Sequence, residues 1–275
     1  LAVGFDNNIG HDYLLDAESR FEYYHTIEEK IPFDLEFFNR ITKGGLPPKT
    51  LNIALAGTGV GKSLFMCHMA ANCMSIDKIV KSTSGKLIVK EYPTASANSS
   101  HFRGLIKELA IKKSFKPDII FIDYLNICGS SRFKGATNVN SYMYIKSIAE
   151  ELRGLAVETN LPIMSATQTT RSGFVSTDIG LEDTSESFGL PATADFMFAL
   201  ISNEELDELN QIAVKQLKNR YNDPTVNKRF VIGIDRAKMK LFDVKMTEQN
   251  IVDSGQSEDT EDTFTSAVFD KTDFG

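Results

Sequence analysis

The stretch Ala56-Gly57-Thr58-Gly59-Val60-Gly61-Lys62-Ser63 constrains this chain more than any other. It follows an apolar run, Leu51-Asn52-Ile53-Ala54-Leu55-Ala56, and opens a second apolar run that continues to Met74. A buried strand, a glycine-rich turn and a helix in that order aim backbone N–H groups at one point, where the helix N-terminus adds positive potential. Gly57, Gly59 and Gly61 let the main chain approach a phosphate with no Cβ in the way. In such a loop Lys62 reaches the β- and γ-phosphates and Ser63 ligates magnesium, while Thr58, Val60 and Leu64 are further nucleotide-binding positions of the same turn. Ala56 stands where the strict pattern has its first glycine, a minor departure because the side chain stays small. The stretch predicts a nucleotide site.

The surrounding pattern supplies an α/β frame for that turn. Residues 1–10 read as an arm, and 11–29 carry apolar residues (Tyr13, Leu14, Ala17, Phe21, Tyr24) at helical steps until Ile31-Pro32 ends the run. A short helix is expected over 34–41, a short strand over 86–89 and a helix over 101–113. Strands follow at 118–123, 162–166 and 195–201, with a helix between the first two whose face is Ile145, Ile148, Ala149, Leu152, Leu155 and Ala156. The last third alternates as strands at 212–217, 229–235 and 240–244. Strands alternating with helices predict a mostly parallel sheet covered on both faces, with an antiparallel hairpin added at the C-terminal end. The expected domains are an arm with a helix that could serve as a linker over 1–30, a nucleotide-binding core over 31–250, and an acidic, unfolded tail over 251–275.

Charge and composition then remove other classes. Of the net −7, the tail holds Asp253, Glu258, Asp259, Glu261, Asp262, Asp270 and Asp273 against Lys271 alone, which leaves −1 for all that precedes it. The acidity therefore belongs to the tail and does not argue against nucleic acid as a partner of the folded part. No run approaches a membrane span, and the start at Leu1 shows neither Met nor a signal peptide, so a trimmed or partial chain is expected. Cys67, Cys73 and Cys128 have no metal-binding spacing and read as reduced core thiols of a cytosolic protein.

Three further places carry chemistry. Asp123 ends the apolar string Ile119-Ile120-Phe121-Ile122, expected as a central strand next to the phosphate loop, where its carboxylate would hold the magnesium water shell. Gln168 follows the strand ending in Ala166 and would sense a γ-phosphate, or else be a surface amide at a strand exit. Lys218 and Arg220 lie two apart at the end of a strand, on the same side, where both could meet one anion or simply face solvent.

Taken in order and spacing, these residues resemble the motor domain of the DnaB-type replicative DNA helicases of T-even phage type. The resemblance rests on Ile31-Pro32-Phe33-Asp34, Ile41-Thr42-Lys43-Gly44-Gly45, the phosphate loop, Ile122-Asp123-Tyr124-Leu125, Ser165-Ala166-Thr167-Gln168, Glu186-Ser187 before Ala194-Asp195, and Lys218-Asn219-Arg220. It implies a RecA-like fold forming a hexameric ring around single-stranded DNA, with ATP and Mg2+ bound between subunits. Lys62 and Ser63 would hold phosphate and magnesium, Asp123 the magnesium shell and Gln168 the γ-phosphate. Lys218 and Arg220 would reach a neighbour's ATP. The helix at 11–25 would dock on the adjacent subunit. Loops at about 129–141 and after Gln168 would line the channel, with Arg132, Lys134, Arg171, Glu186 and Ser187 near the DNA backbone. A primase, a helicase loader, 5′ to 3′ movement and a host-cell cytoplasmic setting are implied with it. A strand-exchange recombinase and a non-translocating ATP-switched ring are the rival jobs for the same fold.

Two departures from that family stand out. Ser185 occupies the place of an arginine before Glu186-Ser187, which puts DNA contacts there in doubt. The strand expected after the phosphate-loop helix, bearing the glutamate that activates water, is missing, since Met74-Ser75-Ile76-Asp77 runs almost directly to Lys86-Leu87-Ile88-Val89. We expect residues to be absent near Ser75, marked by a Cα–Cα step well beyond about 3.8 Å within 72–86.

Overall fold

Leu51–Ala56 (β1) is buried at every position, so one face must be covered as fully as the other. Leu51, Ile53 and Leu55 join one apolar layer, while Ala54 and Ala56 join the opposite one, as the period of two demands. In this computed structural model the described residues are 29–74, 85–133, 140–170, 179–181 and 189–245, with Glu18, Phe21, Glu22 and His25 of the arm.

The elements run Glu36–Thr42 (α1), β1, Lys62–Met74 (α2), Ser99–Lys113 (α3), Ile120–Ile122 (β2), Ser141–Thr159 (α4) and Ile163–Gln168 (β3). Gly189–Thr193 (α5), Phe196–Ile201 (β4), Glu204–Glu208 (α6), Gln211–Asn219 (β5), Arg229–Asp235 (β6) and Lys240–Asp243 (β7) complete them. The described strands form one sheet in the order β2-β3-β1-β4-β5-β6-β7. Its first four members are parallel, and β5, β6 and β7 extend it by antiparallel pairing. The mostly parallel sheet and its antiparallel extension thus appear as expected.

On one face an aromatic cluster packs α1 and α2 against the sheet. Phe38, fully buried, has its ring centroid 5.3 Å from Phe65, 5.0 Å from Phe198 and 5.3 Å from Phe230. The small Ala54 and Ala56 make room for these rings in the middle of the sheet. On the other face α4 lays Ile145, Ile148, Leu152 and Leu155 on Leu51, Ile53, Met197 and Ala199. Asn140 caps α4 by accepting from the Tyr142 N–H, and Asn160, in the left-handed conformation, ends it.

Several expectations are corrected. Residues 86–89 form no strand: Leu87 and Val89 are exposed, and no described backbone hydrogen bond ties them to the sheet, so their alternation has no ladder to fill. The Asp123 strand is not next to the phosphate-loop strand, because β3 lies between them and β2 is the edge of the described sheet. That edge position leaves Ile120 and Phe121 half-buried, and only Ile122 is buried. Cys67 is exposed on α2 rather than in the core, whereas burial pushes the Cys73 and Cys128 thiols up to about 11. Of the expected linker helix, Glu18, Phe21, Glu22 and His25 are helical. Of the 72–86 stretch in which a break is expected, 75–84 lies outside the described residues, and on either side of it the Gly85 N–H donates to the Met74 carbonyl at 3.2 Å. The acidic tail also lies outside the described residues.

Candidate nucleotide site

Between the end of β1 and the start of α2 the chain turns through Gly59 and Gly61, whose φ angles of 81° and 128° lie in the left-handed region that favours glycine. Gly61 also sits under the antiparallel strands: a Cβ there would meet Ile212 at 3.5 Å. The first turn of α2 closes with the Phe65 N–H donating to the Gly61 carbonyl at 2.8 Å. Thr58 and Gly59 are exposed, and Val60 and Gly61 half-buried, while Gly57 and Leu64 are buried behind them.

Lys62 crosses the mouth of this turn, donating to the carbonyls of Ala56 at 2.9 Å and Gly57 at 2.8 Å. An ammonium has three N–H donors, so the loop's own carbonyls hold its head group without exhausting it. Burial lowers its pKa, and the Asp123 carboxylate pulls in the opposite direction. Ser63, one residue on, donates from Oγ to Oδ2 of Asp123 at 2.7 Å. A hydroxyl and a carboxylate in contact at a helix start suit Mg2+, which takes few protein oxygens and otherwise keeps phosphate oxygens and water.

Gln168 stands at the end of β3, in register with Ala56. Its Nε2 donates to the Tyr124 hydroxyl at 3.3 Å. Tyr124 follows Asp123 in the chain, so the Gln168–Tyr124 and Ser63–Asp123 hydrogen bonds are made by adjacent residues of one segment. Tyr124 belongs to the string that carried the resemblance, but nothing in sequence assigned it this link.

Lys218 and Arg220 are elsewhere. Lys218 Nζ donates to the carbonyls of Pro191 at 2.6 Å and Ala192 at 3.0 Å, and Arg220 pairs with Oδ1 of Asp195 at 2.8 Å. Burial and the nearby Arg220 lower the Lys218 pKa. Asp195 brackets Leu51, accepting the Leu51 N–H at Oδ2 and donating its own N–H to the Leu51 carbonyl. Leu51 is the end of β1 opposite the phosphate loop, about 17–20 Å away along a strand of this length. The sheet thus brings the two cations together and keeps them from Lys62 and Ser63 of the same chain.

Of the residues expected near DNA, Arg132 is ion-paired with Glu150 on α4. Lys134, Arg171, Glu186 and Ser187, like Ser185, lie outside the described residues. The segment leading into the first of those loops is fastened by Glu151 of α4, a residue that sequence reasoning passed over. Its carboxylate accepts from Ser99 Oγ, Ser130 Oγ, and both Oγ and N–H of Ser131. Burial pushes its pKa up, but these hydrogen bonds outweigh it and draw the carboxyl down to about 2. Arg153 also escaped notice, and Asp195 was quoted only within Ala194-Asp195 with no role assigned, because their partners are distant in sequence.

No family model matches the chain. It is 38% identical, over 93% of its length, to a DnaB-like replicative helicase of Enterobacteria phage T4, and spans 64% of that protein. The alignment runs to 307 positions against 275 residues in this chain, so the phage protein carries residues with no counterpart here. Among solved structures, that of a DnaB-like replicative helicase and its interactions with primase superposes with a TM-score of 0.66 at 15% identity, covering 85% of this chain and 68% of the other. A second solved structure, an isolated ATPase domain, gives 0.64 at 15% identity, covering 84% of this chain and 97% of that domain. The fold is accordingly the RecA-like one of these ATPase domains.

Proposed function

The chain is a relative of the phage T4 DnaB-like replicative helicase, and on that premise we propose that it is the ATP-hydrolysing motor part of a homohexameric replicative DNA helicase. One observation carries the shared site: the phosphate loop and the Lys218–Arg220 pair occupy opposite ends of the sheet. A site that needs both must be built from two chains, and a head-to-tail contact of that kind closes into a ring when its rotation allows and runs on as a filament when it does not. The likeness to a replicative helicase favours the ring.

Bound ATP with Mg2+ would supply the phosphoryl bond whose hydrolysis drives the cycle. Lys62 would neutralise phosphate charge from within the loop, and Ser63 with Asp123 would hold the ion. Gln168, hydrogen-bonded to Tyr124, would sense the terminal phosphate and pass its presence to the segment after Asp123. Lys218 and Arg220 of the neighbouring subunit add positive charge where negative charge grows during transfer. Gripping a strand without reading its sequence takes cations and N–H donors on loops. Arg132, Lys134, Arg171, Glu186 and Ser187 are the proposed contributors, with Glu151 fixing where the first loop starts. A primase is a proposed partner, supported by the interaction named for the structural neighbour, and a helicase loader is another. No helix among the described residues is long and apolar enough to cross a membrane, and the proposed setting is the cytoplasm of an infected cell.

The test is ATP hydrolysis with and without single-stranded DNA, alongside unwinding of a forked duplex. Lys62→Ala should lose both activities. Arg220→Ala should still bind nucleotide but hydrolyse it at least about a hundredfold more slowly, since a cation supplied in trans contributes on the order of 10³ or more. Mixing Lys62→Ala with Arg220→Ala should restore part of the rate. Full hydrolysis by Arg220→Ala alone would remove the shared site, and hydrolysis indifferent to DNA would favour an ATP-switched ring.

A further inference from the structure

We propose that Arg153 and Asp195 are positioning residues for Arg220, keeping its guanidinium available to a neighbouring subunit's nucleotide; this rests on the shared-site reading above. The arrangement begins with a buried carboxylate. Asp195 is 6% exposed in its side chain, while Arg153 and Arg220 are 40% and 47% exposed. Arg153, on α4, grips both oxygens side-on: Nε donates to Oδ2 at 3.1 Å and an Nη to Oδ1 at 3.0 Å. The Leu51 N–H takes up more of Oδ2. Arg220 is left with one bond, to Oδ1.

That asymmetry matters because a guanidinium has five N–H donors and prefers a carboxylate in a two-point fork. By occupying the fork, Arg153 denies it to Arg220, whose remaining donors point to no described protein acceptor. The base of Arg220 is fixed as well. Its N–H donates to the Asp195 carbonyl at 3.0 Å, Asn219 Nδ2 donates to the Ile41 carbonyl at 2.7 Å, and the Tyr221 hydroxyl donates to Asn52 Oδ1 at 2.6 Å. A guanidinium held at its root and by one tip, with Lys218 beside it, is pre-organised for an anion from outside the chain. Arg153, Lys218 and Arg220 against Asp195 leave a net positive cluster, which suits a polyphosphate. Removing Arg153 would let Asp195 capture Arg220 by both oxygens and draw it inward.

The test uses the full chain, with Arg153→Gln and Arg153→Lys variants, in the DNA-stimulated ATPase assay. Arg153→Gln should lower kcat about tenfold, less than the roughly hundredfold that a full 1 Å misplacement can cost because the Arg220 backbone stays anchored, with KM for ATP changed by less than about twofold. Arg153→Lys, which keeps the charge without the fork, should fall between, and it decides the matter if the glutamine variant does not fold. Because the defect lies on the face that serves a neighbour, mixing Arg153→Gln with Lys62→Ala should recover activity, which a general structural defect would not do. A kcat within about twofold of the unaltered protein for both variants would overturn the proposal. So would a mixture that fails to recover while the Arg220→Ala mixture succeeds. Failure of both mixtures would take away the shared site itself, and this proposal with it.

Discussion

Glu151→Gln isolates the worth of one negative charge at the root of a loop. In the folded chain the Glu151 carboxylate gathers Ser99, Ser130 and Ser131, and its pKa is drawn from 4.5 to about 2. Without solvent that drop would amount to about 3 kcal/mol. Glu151 is half-buried, and competition from water cuts the figure to roughly 1.5 kcal/mol. Glutamine keeps the length but turns an amide N–H2 toward groups that are themselves donors. Because the folded pKa is depressed, the stabilisation is fully present above 4.5 and is lost as pH falls toward about 2. The glutamine variant has no such proton to gain. Urea unfolding at pH 7 should therefore separate the two proteins by about 1.5 kcal/mol, or a thermal midpoint difference of roughly 3–6 °C. The gap should narrow at pH 3.5. A gap below about 0.5 kcal/mol at pH 7, or one that does not change with acid, would refute the assignment.

The aromatic core and the ion site give two further expectations. Phe38→Ala empties the centre of a cluster whose rings lie about 5 Å away on α2, β4 and β6, and should cost about 3–5 kcal/mol in denaturant unfolding. Ser63→Ala removes the hydroxyl that touches Asp123. It should raise the Mg2+ concentration needed for tight nucleotide binding by roughly tenfold, because this ion has few protein ligands to spare. Calorimetric titration with and without Mg2+ would show whether the loss is confined to the metal-dependent part.

Local pattern was enough wherever an element's chemistry is written in adjacent residues. The phosphate loop is the clearest case: Leu51–Ala56 and Lys62–Met74 begin and end as read, because an apolar run, spaced glycines and a lysine at a helix start leave one workable geometry. Ser63 and Asp123, 60 residues apart, were matched through the known logic of such loops, and they do touch. Alternation alone misled at 86–89. Leu87 and Val89 have the right composition for a strand, but a strand exists only if a partner edge lies within hydrogen-bonding distance.

The chain's residues in order determined a nucleotide-binding α/β layer, the buried strand Leu51–Ala56 and the turn that faces phosphate, since each follows from short-range sterics and burial. Only the tertiary structure decided which strands are neighbours and which charges meet. It set β3 between Asp123 and the phosphate loop, and it brought Asp195 to Leu51, Arg153 and Arg220. It also sent Lys218 and Arg220 to the end of the sheet remote from Lys62. Those outcomes depend on contacts between residues 25 to 144 positions apart, whose energies are balanced over the whole core rather than carried by any local stretch.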